Sequence, residues 1–331
     1  MYKLKYNFQQ YTQVINVYLE NILKNSSEYF NNQNREGEVI NIEKEKKVLL
    51  RCIENIEEYL YYYFKNFPNN FNTILNSIIN NLRTIACLPE NQRGIYGLTR
   101  AEKKIIYINP ELRDSSTLTG ENRTRLYMAH ELGHIINNEW MNYVSEWLNR
   151  LRKHNNDVIP DTFQLFYDGF SMLDEATTQD RAEDFVYSFL GKRRPKYQRE
   201  RNSMLFDGQE YESNFDYYGE LQAPATMFAR TLRGIGKEKN DGKALNLLSS
   251  RALSPDFARL IIDEYIKDEQ AGSFFEELRY MGLLKRASYA KFGVGDASNC
   301  KNSAEYLSKF IHTTSQMRDW REPLININDE R

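Results

Sequence analysis

Apolar residues recur at intervals of three and four along most of this chain, the period of an amphipathic helix. In the N-terminal third that pattern predicts helices over residues 8–24, 43–65 and 70–87, separated by the polar segments SSEYFNNQNREGE and NFPNN. The period then shortens. Within RGIYGLTRAEKKIIYINPEL, two β-type runs, Gly94 to Leu98 and Lys104 to Asn109, flank a polar turn and stop at Pro110, so a hairpin is the simplest arrangement. After the loop RDSSTLTGEN, in which the Thr119 hydroxyl can cap a helix, a helix is expected from about Asn122 to Asn137. Helical patterns follow at 139–152 and 173–190, and the stretch 191–224 is irregular and rich in charge and Tyr. They return at 225–234, 243–250, 254–268, 270–283 and 303–313. The expected fold class is α+β, mainly helical, with a small antiparallel sheet just before the Asn122–Asn137 helix. The expected domains are an N-terminal helical subdomain over 1–90, a core over 91–200, and a mainly helical C-terminal subdomain over 201–331.

Composition narrows the function classes. With 331 residues, 44 Lys plus Arg against 46 Asp plus Glu and a net charge of −2, the chain carries no large basic block, so nucleic acid is not an expected partner. No apolar run approaches the length of a membrane span, and the N-terminus shows no signal-peptide pattern, so a cytoplasmic location is expected. Cys52, Cys87 and Cys300 are widely spaced and odd in number, which suits a reducing compartment and buried or incidental thiols.

The chemistry concentrates in HELGH, inside the Asn122–Asn137 helix. His130 and His134 are one turn apart and leave the same face, so both imidazoles can converge on one ion, while Glu131 projects about 100° away. Two neutral imidazoles and one further protein ligand leave a zinc ion an open position for water, whose pKa the metal lowers. Glu131 is then placed to serve as general base. Leu126, Ala129, Leu132 and Ile136 cluster on the other side of the wheel, so the histidines are expected to face a cleft. With only four His in the chain, a chance HExxH pentamer is rare, below about one in a hundred.

The third ligand is sought on the helix SMLDEATTQDRAEDFVYSFL. Ala182, Phe185, Val186, Phe189 and Leu190 form an arc centred on Glu175, whereas Asp180, Glu183 and Asp184 fall outside it. An acid in line with an apolar stripe is costly unless paired or metal-bound, which favours Glu175 as ligand. The competing reading is an ordinary acid in the first turn of a helix. Gln179, one turn on, can orient a ligand. Oxyanion stabilisation calls for a donor from a later segment, and Tyr217, Tyr218 and His312 are the candidates. His154 lies in the polar loop RKHNND, and the run YLYYYF reads as helix packing.

HELGH followed by DEATTQ resembles the gluzincin zinc metallopeptidases, and the resemblance covers about residues 94–190. It implies a zincin-like catalytic core with one zinc per chain, His130, His134 and Glu175 as ligands, and Glu131 as base. It also implies that the edge strand of the preceding hairpin binds peptide as an added strand. The interval from His134 to Glu175 exceeds that of thermolysin-like members, and Gln179 stands where those often carry Asp. IIYIN leading into AHELGH is also similar to the ImmA/IrrE-type peptidases, which implies a cytoplasmic regulatory target. The expected function is thus a zinc metallopeptidase acting on peptide or protein. The alternatives are an ImmA-like regulatory peptidase, a non-peptidase zinc hydrolase, or an inactive, zinc-stabilised binding protein.

Overall fold

The computed structural model describes residues 2–32, 42–92, 95–114, 118–154, 160–192, 202–206, 209–213, 247–266 and 282. The chain divides into two compact units, one of residues 1–138 with 181–194, the other of 139–180 with 195–331.

The first unit is built on three helices, α1 (Tyr2–Asn32), α2 (Ile42–Asn66) and α3 (Phe71–Asn81). Ile15, Tyr18, Ile22 and Ser26 make the buried stripe of α1, at intervals of three and four. On α2 the stripe comprises Leu49, Cys52, Ile53, Ile56, Tyr59, Leu60, Tyr63 and Phe64. YLYYYF therefore packs, as expected. Tyr59 and Tyr63 exchange a hydroxyl hydrogen bond of 2.7 Å, and Phe185 meets the Tyr59 ring edge-on at 5.2 Å.

Helix α3 stops at Asn81, where the sequence pattern predicts a helix through residue 87. Leu82 is extended and its amide donates to the Ile78 carbonyl at 2.9 Å, while the Tyr18 hydroxyl lies 3.2 Å from that carbonyl and 3.1 Å from that of Leu82. Residues Thr84–Cys87 instead form strand β1. With β2 (Gly97–Arg100) and β3 (Ile105–Ile108) it makes a three-stranded sheet of order β1-β3-β2. β2 and β3 form a hairpin as expected, although β2 shares only Gly97 and Leu98 with the run expected from Gly94 to Leu98; β1 pairs with β3 in parallel, in register Thr84 to Ile105, so the sheet is mixed rather than antiparallel. The physical reason is burial: all four β1 residues are enclosed, which removes the alternation that marks a strand in sequence. The β2–β3 turn closes through Lys104, whose φ of 58° is left-handed and whose ammonium reaches the Asn80 carbonyl at 2.7 Å.

Helix α4 (Gly120–His154) and helix α5 (Pro160–Phe189) each run unbroken from one unit into the other. Thr119 caps α4: its hydroxyl oxygen accepts from the Asn122 amide at 3.4 Å. Two helices predicted at 122–137 and 139–152 are thus one. The helix predicted from 173 begins at Pro160, a residue suited to a first turn.

In the second unit, Trp140, Val144, Trp147, Leu148 and Leu151 of α4 are buried together with Phe166 and Phe170 of α5 and Phe257 and Ile261 of α6 (Phe257–Ile266). The Trp140 ring meets Phe257 at 5.1 Å and its indole N–H donates to the Ala252 carbonyl at 3.1 Å. A two-stranded antiparallel ribbon, β4 (Asn202–Phe206) with β5 (Gln209–Ser213), falls in the stretch read as irregular. The helical patterns at 225–234, 270–283 and 303–313 lie wholly or almost wholly outside the described residues. Among the described residues, no helix is long and apolar enough to cross a membrane.

Candidate metal centre

Helix geometry alone brings His130 and His134 together, because residues four apart on α4 stack on one face. Their rings stand nearly perpendicular, with centroids 4.7 Å apart, and the two Nε2 atoms are 3.0 Å from each other. Glu175, on α5, completes the set: one nitrogen from each histidine and one carboxylate oxygen all lie within 4.8 Å of one another.

The donors fit a zinc ion. Zn–N bonds of about 2.0–2.1 Å at a tetrahedral angle place two nitrogens roughly 3.3 Å apart, close to the separation found here. Two imidazoles and one carboxylate are the mixed nitrogen and oxygen set of an open zinc site. Among the described residues, this is the grouping of His, Cys, Asp and Glu that could hold a metal ion.

The surroundings differ from the wheel expectations. From Thr124 to Gly133 every position of α4 is buried, including Tyr127, Met128 and His130, the last only 2% exposed. Protein therefore encloses the helix on every side over this stretch, and only His134 of the ligand pair is half-exposed. On α5, Met172 to Ala182 is likewise buried on all sides, with Glu175 the single half-buried position. Phe189, assigned to the apolar stripe, is 49% exposed and lies under the Arg125 guanidinium, 4.0 Å from its ring centroid. Glu183 and Asp184 further along the helix are half-buried too, so burial does not single out Glu175 among its acids; convergence with the histidines does.

The other acids of α5 have other attachments. The Asp180 carboxylate, 3% exposed, accepts from the Ser249 hydroxyl at 2.7 Å, and Asp184 accepts from the Tyr62 hydroxyl. Glu183 is half-buried and does not join the ligand cluster. Gln179 is buried one turn after Glu175. Tyr217, Tyr218 and His312 lie outside the described residues, as do Cys300 and the side chain of His154.

Glu131 is 5% exposed and meets strand β2. The Thr99 hydroxyl stands 2.7 Å from Glu131 Oε2 and 3.1 Å from the Glu131 carbonyl. Gly97 lies under the same carboxylate: a Cβ there would fall 2.6 Å from Oε1. Sequence reasoning did not reach Thr99 or Gly97, although their spacing of two on a strand already puts them on one face. Just before β2, Tyr96 stacks on Tyr127 of α4 at 4.4 Å, with the Arg123 guanidinium 5.0 Å from the Tyr96 ring centroid.

Burial sets the titration of the neighbouring helices. The Cys52 thiol is pushed up by burial and then by Cys87, and the Tyr59 and Tyr63 hydroxyls are raised by burial first. Cys52 and Cys87 are buried and neither is in a disulfide. No family model, no curated protein and no solved structure matches this chain.

Proposed function

We propose that the protein is a zinc-dependent metallopeptidase in which His130, His134 and Glu175 hold one ion and Glu131 is the general base. The observation that carries the reading is the convergence of those three ligand atoms within 4.8 Å, with a buried carboxylate on the residue next to His130. The chemistry a bound zinc supplies is Lewis acidity, which lowers the pKa of water to about 7 and polarises a carbonyl.

The residues of the chain do the rest. His130 and His134 present neutral nitrogens and Glu175 an anionic oxygen, so the ligand set leaves net positive charge. Glu131 takes a proton from the attacking water and delivers it to the leaving amine, a role that needs its carboxylate aimed and ionised. Its aim is supported by Thr99 and by the space at Gly97. The substrate is a peptide or protein, and a reducing compartment matches thiols at Cys52 and Cys87 that are not joined in a disulfide.

The test combines metal analysis with identification of newly formed peptide termini, comparing the wild type with Glu131→Gln. Both proteins should bind one zinc per chain, and turnover should fall by roughly two or more orders of magnitude in the variant. Absence of zinc uptake, or cleavage by Glu131→Gln at the wild-type rate, overturns the reading.

A further inference from the structure

We infer that Thr99 is a positioning residue for Glu131, and that Gly97 supplies the space the carboxylate occupies, so that strand β2 sets the direction of the base. The inference rests on Glu131 being the general base, and it deepens that reading.

The hydroxyl of Thr99 carries one proton and has two oxygens within reach. The carboxylate Oε2 at 2.7 Å is nearer and charged, whereas the Glu131 carbonyl at 3.1 Å is neutral and lies inside α4, where backbone amides compete for it. The proton therefore goes to Oε2. Thr is β-branched, so its χ1 is restricted and the donor is aimed before the carboxylate arrives. A glutamate otherwise has three side-chain torsions to fix, and a donor of this kind removes much of that freedom.

Gly97 acts on the other oxygen. A Cβ at position 97 would lie 2.6 Å from Oε1, 2.9 Å from Cγ and 3.0 Å from Cδ of Glu131, so the carboxylate rests on bare backbone. Every one of those atoms belongs to the movable Glu131 side chain, so an added methyl group displaces the carboxylate rather than the strand. Thr99 and Gly97 share a face of β2, which β3 holds in register through Ile106 and Ile108. The device is rigid because both contacts come from one paired strand. Misplacing a reacting group by about 1 Å costs on the order of a hundredfold in rate.

The experiment measures kcat and KM on a cleaved peptide, zinc content, and crystal structures of the zinc-loaded protein for Thr99→Val, Thr99→Ser and Gly97→Ala. Thr99→Val should lower kcat about tenfold with KM and zinc content unchanged, and Thr99→Ser should restore it to within about twofold. Gly97→Ala should lower kcat by roughly a hundredfold and show the carboxylate displaced. In a Glu131→Gln background, Thr99→Val should add nothing to the loss in kcat, whereas a merely structural Thr99 would still add its own effect. Wild-type kcat in both Thr99→Val and Gly97→Ala, or an additive loss in the double variant, overturns the inference. If Glu131→Gln itself cleaves like the wild type, the functional reading fails separately. The structures then decide the positioning claim alone: an unmoved carboxylate in Thr99→Val and Gly97→Ala refutes it.

Discussion

Arg181 and Asn137 meet away from solvent: the guanidinium Nη2 of Arg181 donates to the side-chain oxygen of Asn137 at 2.9 Å, and both residues are buried. The contact ties α5 to α4, and the Tyr63 hydroxyl joins it through a hydrogen bond to the same guanidinium. A buried cation depends on each of its acceptors. Asn137→Leu should therefore lower the free energy of unfolding by about 1–3 kcal/mol, read from urea denaturation with an unchanged slope. A cost near zero would mean that water replaces the lost acceptor.

Glu175 and Asp180 should separate cleanly on substitution, because only Glu175 converges with the histidines while Asp180 holds Ser249. Glu175→Ala should lose tight zinc uptake in calorimetric titration. Asp180→Ala should keep it and lose about 1–3 kcal/mol of stability, since the Ser249 hydroxyl is left buried without that acceptor. Loss of zinc from Asp180→Ala with retention by Glu175→Ala would reverse the assignment.

Burial raises the hydroxyl pKa of Tyr18, Tyr59 and Tyr63 above the value of about 10 that a tyrosine has in an unfolded chain. The folded state then holds these protons more tightly. The stability they contribute is fully present below pH 10 and is lost as pH rises through and beyond that value. Absorbance of tyrosinate should therefore rise in two parts, exposed rings first and these three only together with loss of far-ultraviolet circular dichroism. Smooth titration of all the tyrosines with the helical signal intact would contradict this.

Signals confined to neighbouring residues were legible in the sequence. The stripe of α2, the Thr119 cap, the β2–β3 hairpin and the His130–His134 pair each depend on spacings of two to four residues. β1 was not legible, because Ile85 and its neighbours are buried on both faces and pair in parallel with a strand twenty-one residues away. The sequence pattern divides α4 into helices over 122–137 and 139–152, yet the helix runs through, with the Asn137 side chain bonded to Arg181. Glu175 was reached through a stripe of which Ala182, Phe185 and Val186 are buried and Phe189 is exposed, but beside Glu175 itself the helix is buried all round. Thr99 stayed hidden because its partner is set by the register of a strand against a helix, which no local pattern encodes.

Strand β2 lies at an edge of its sheet, with β3 on one flank and no strand on the other among the described residues. Its half-exposed residues Gly97 and Thr99 touch Glu131, so an extended chain running along that flank would pass the base. Peptide amides would then alternate between bonding to β2 and pointing away, as in any strand pair. Binding of a substrate peptide to zinc-loaded Glu131→Gln, with each amide methylated in turn, reads that alternation directly. Methylation at every second position should weaken binding by about tenfold, the equivalent of one hydrogen bond of roughly 1.4 kcal/mol, and the intervening positions should change little. Uniform sensitivity along the peptide, or none at all, would show that substrate is held by side chains and not by strand addition.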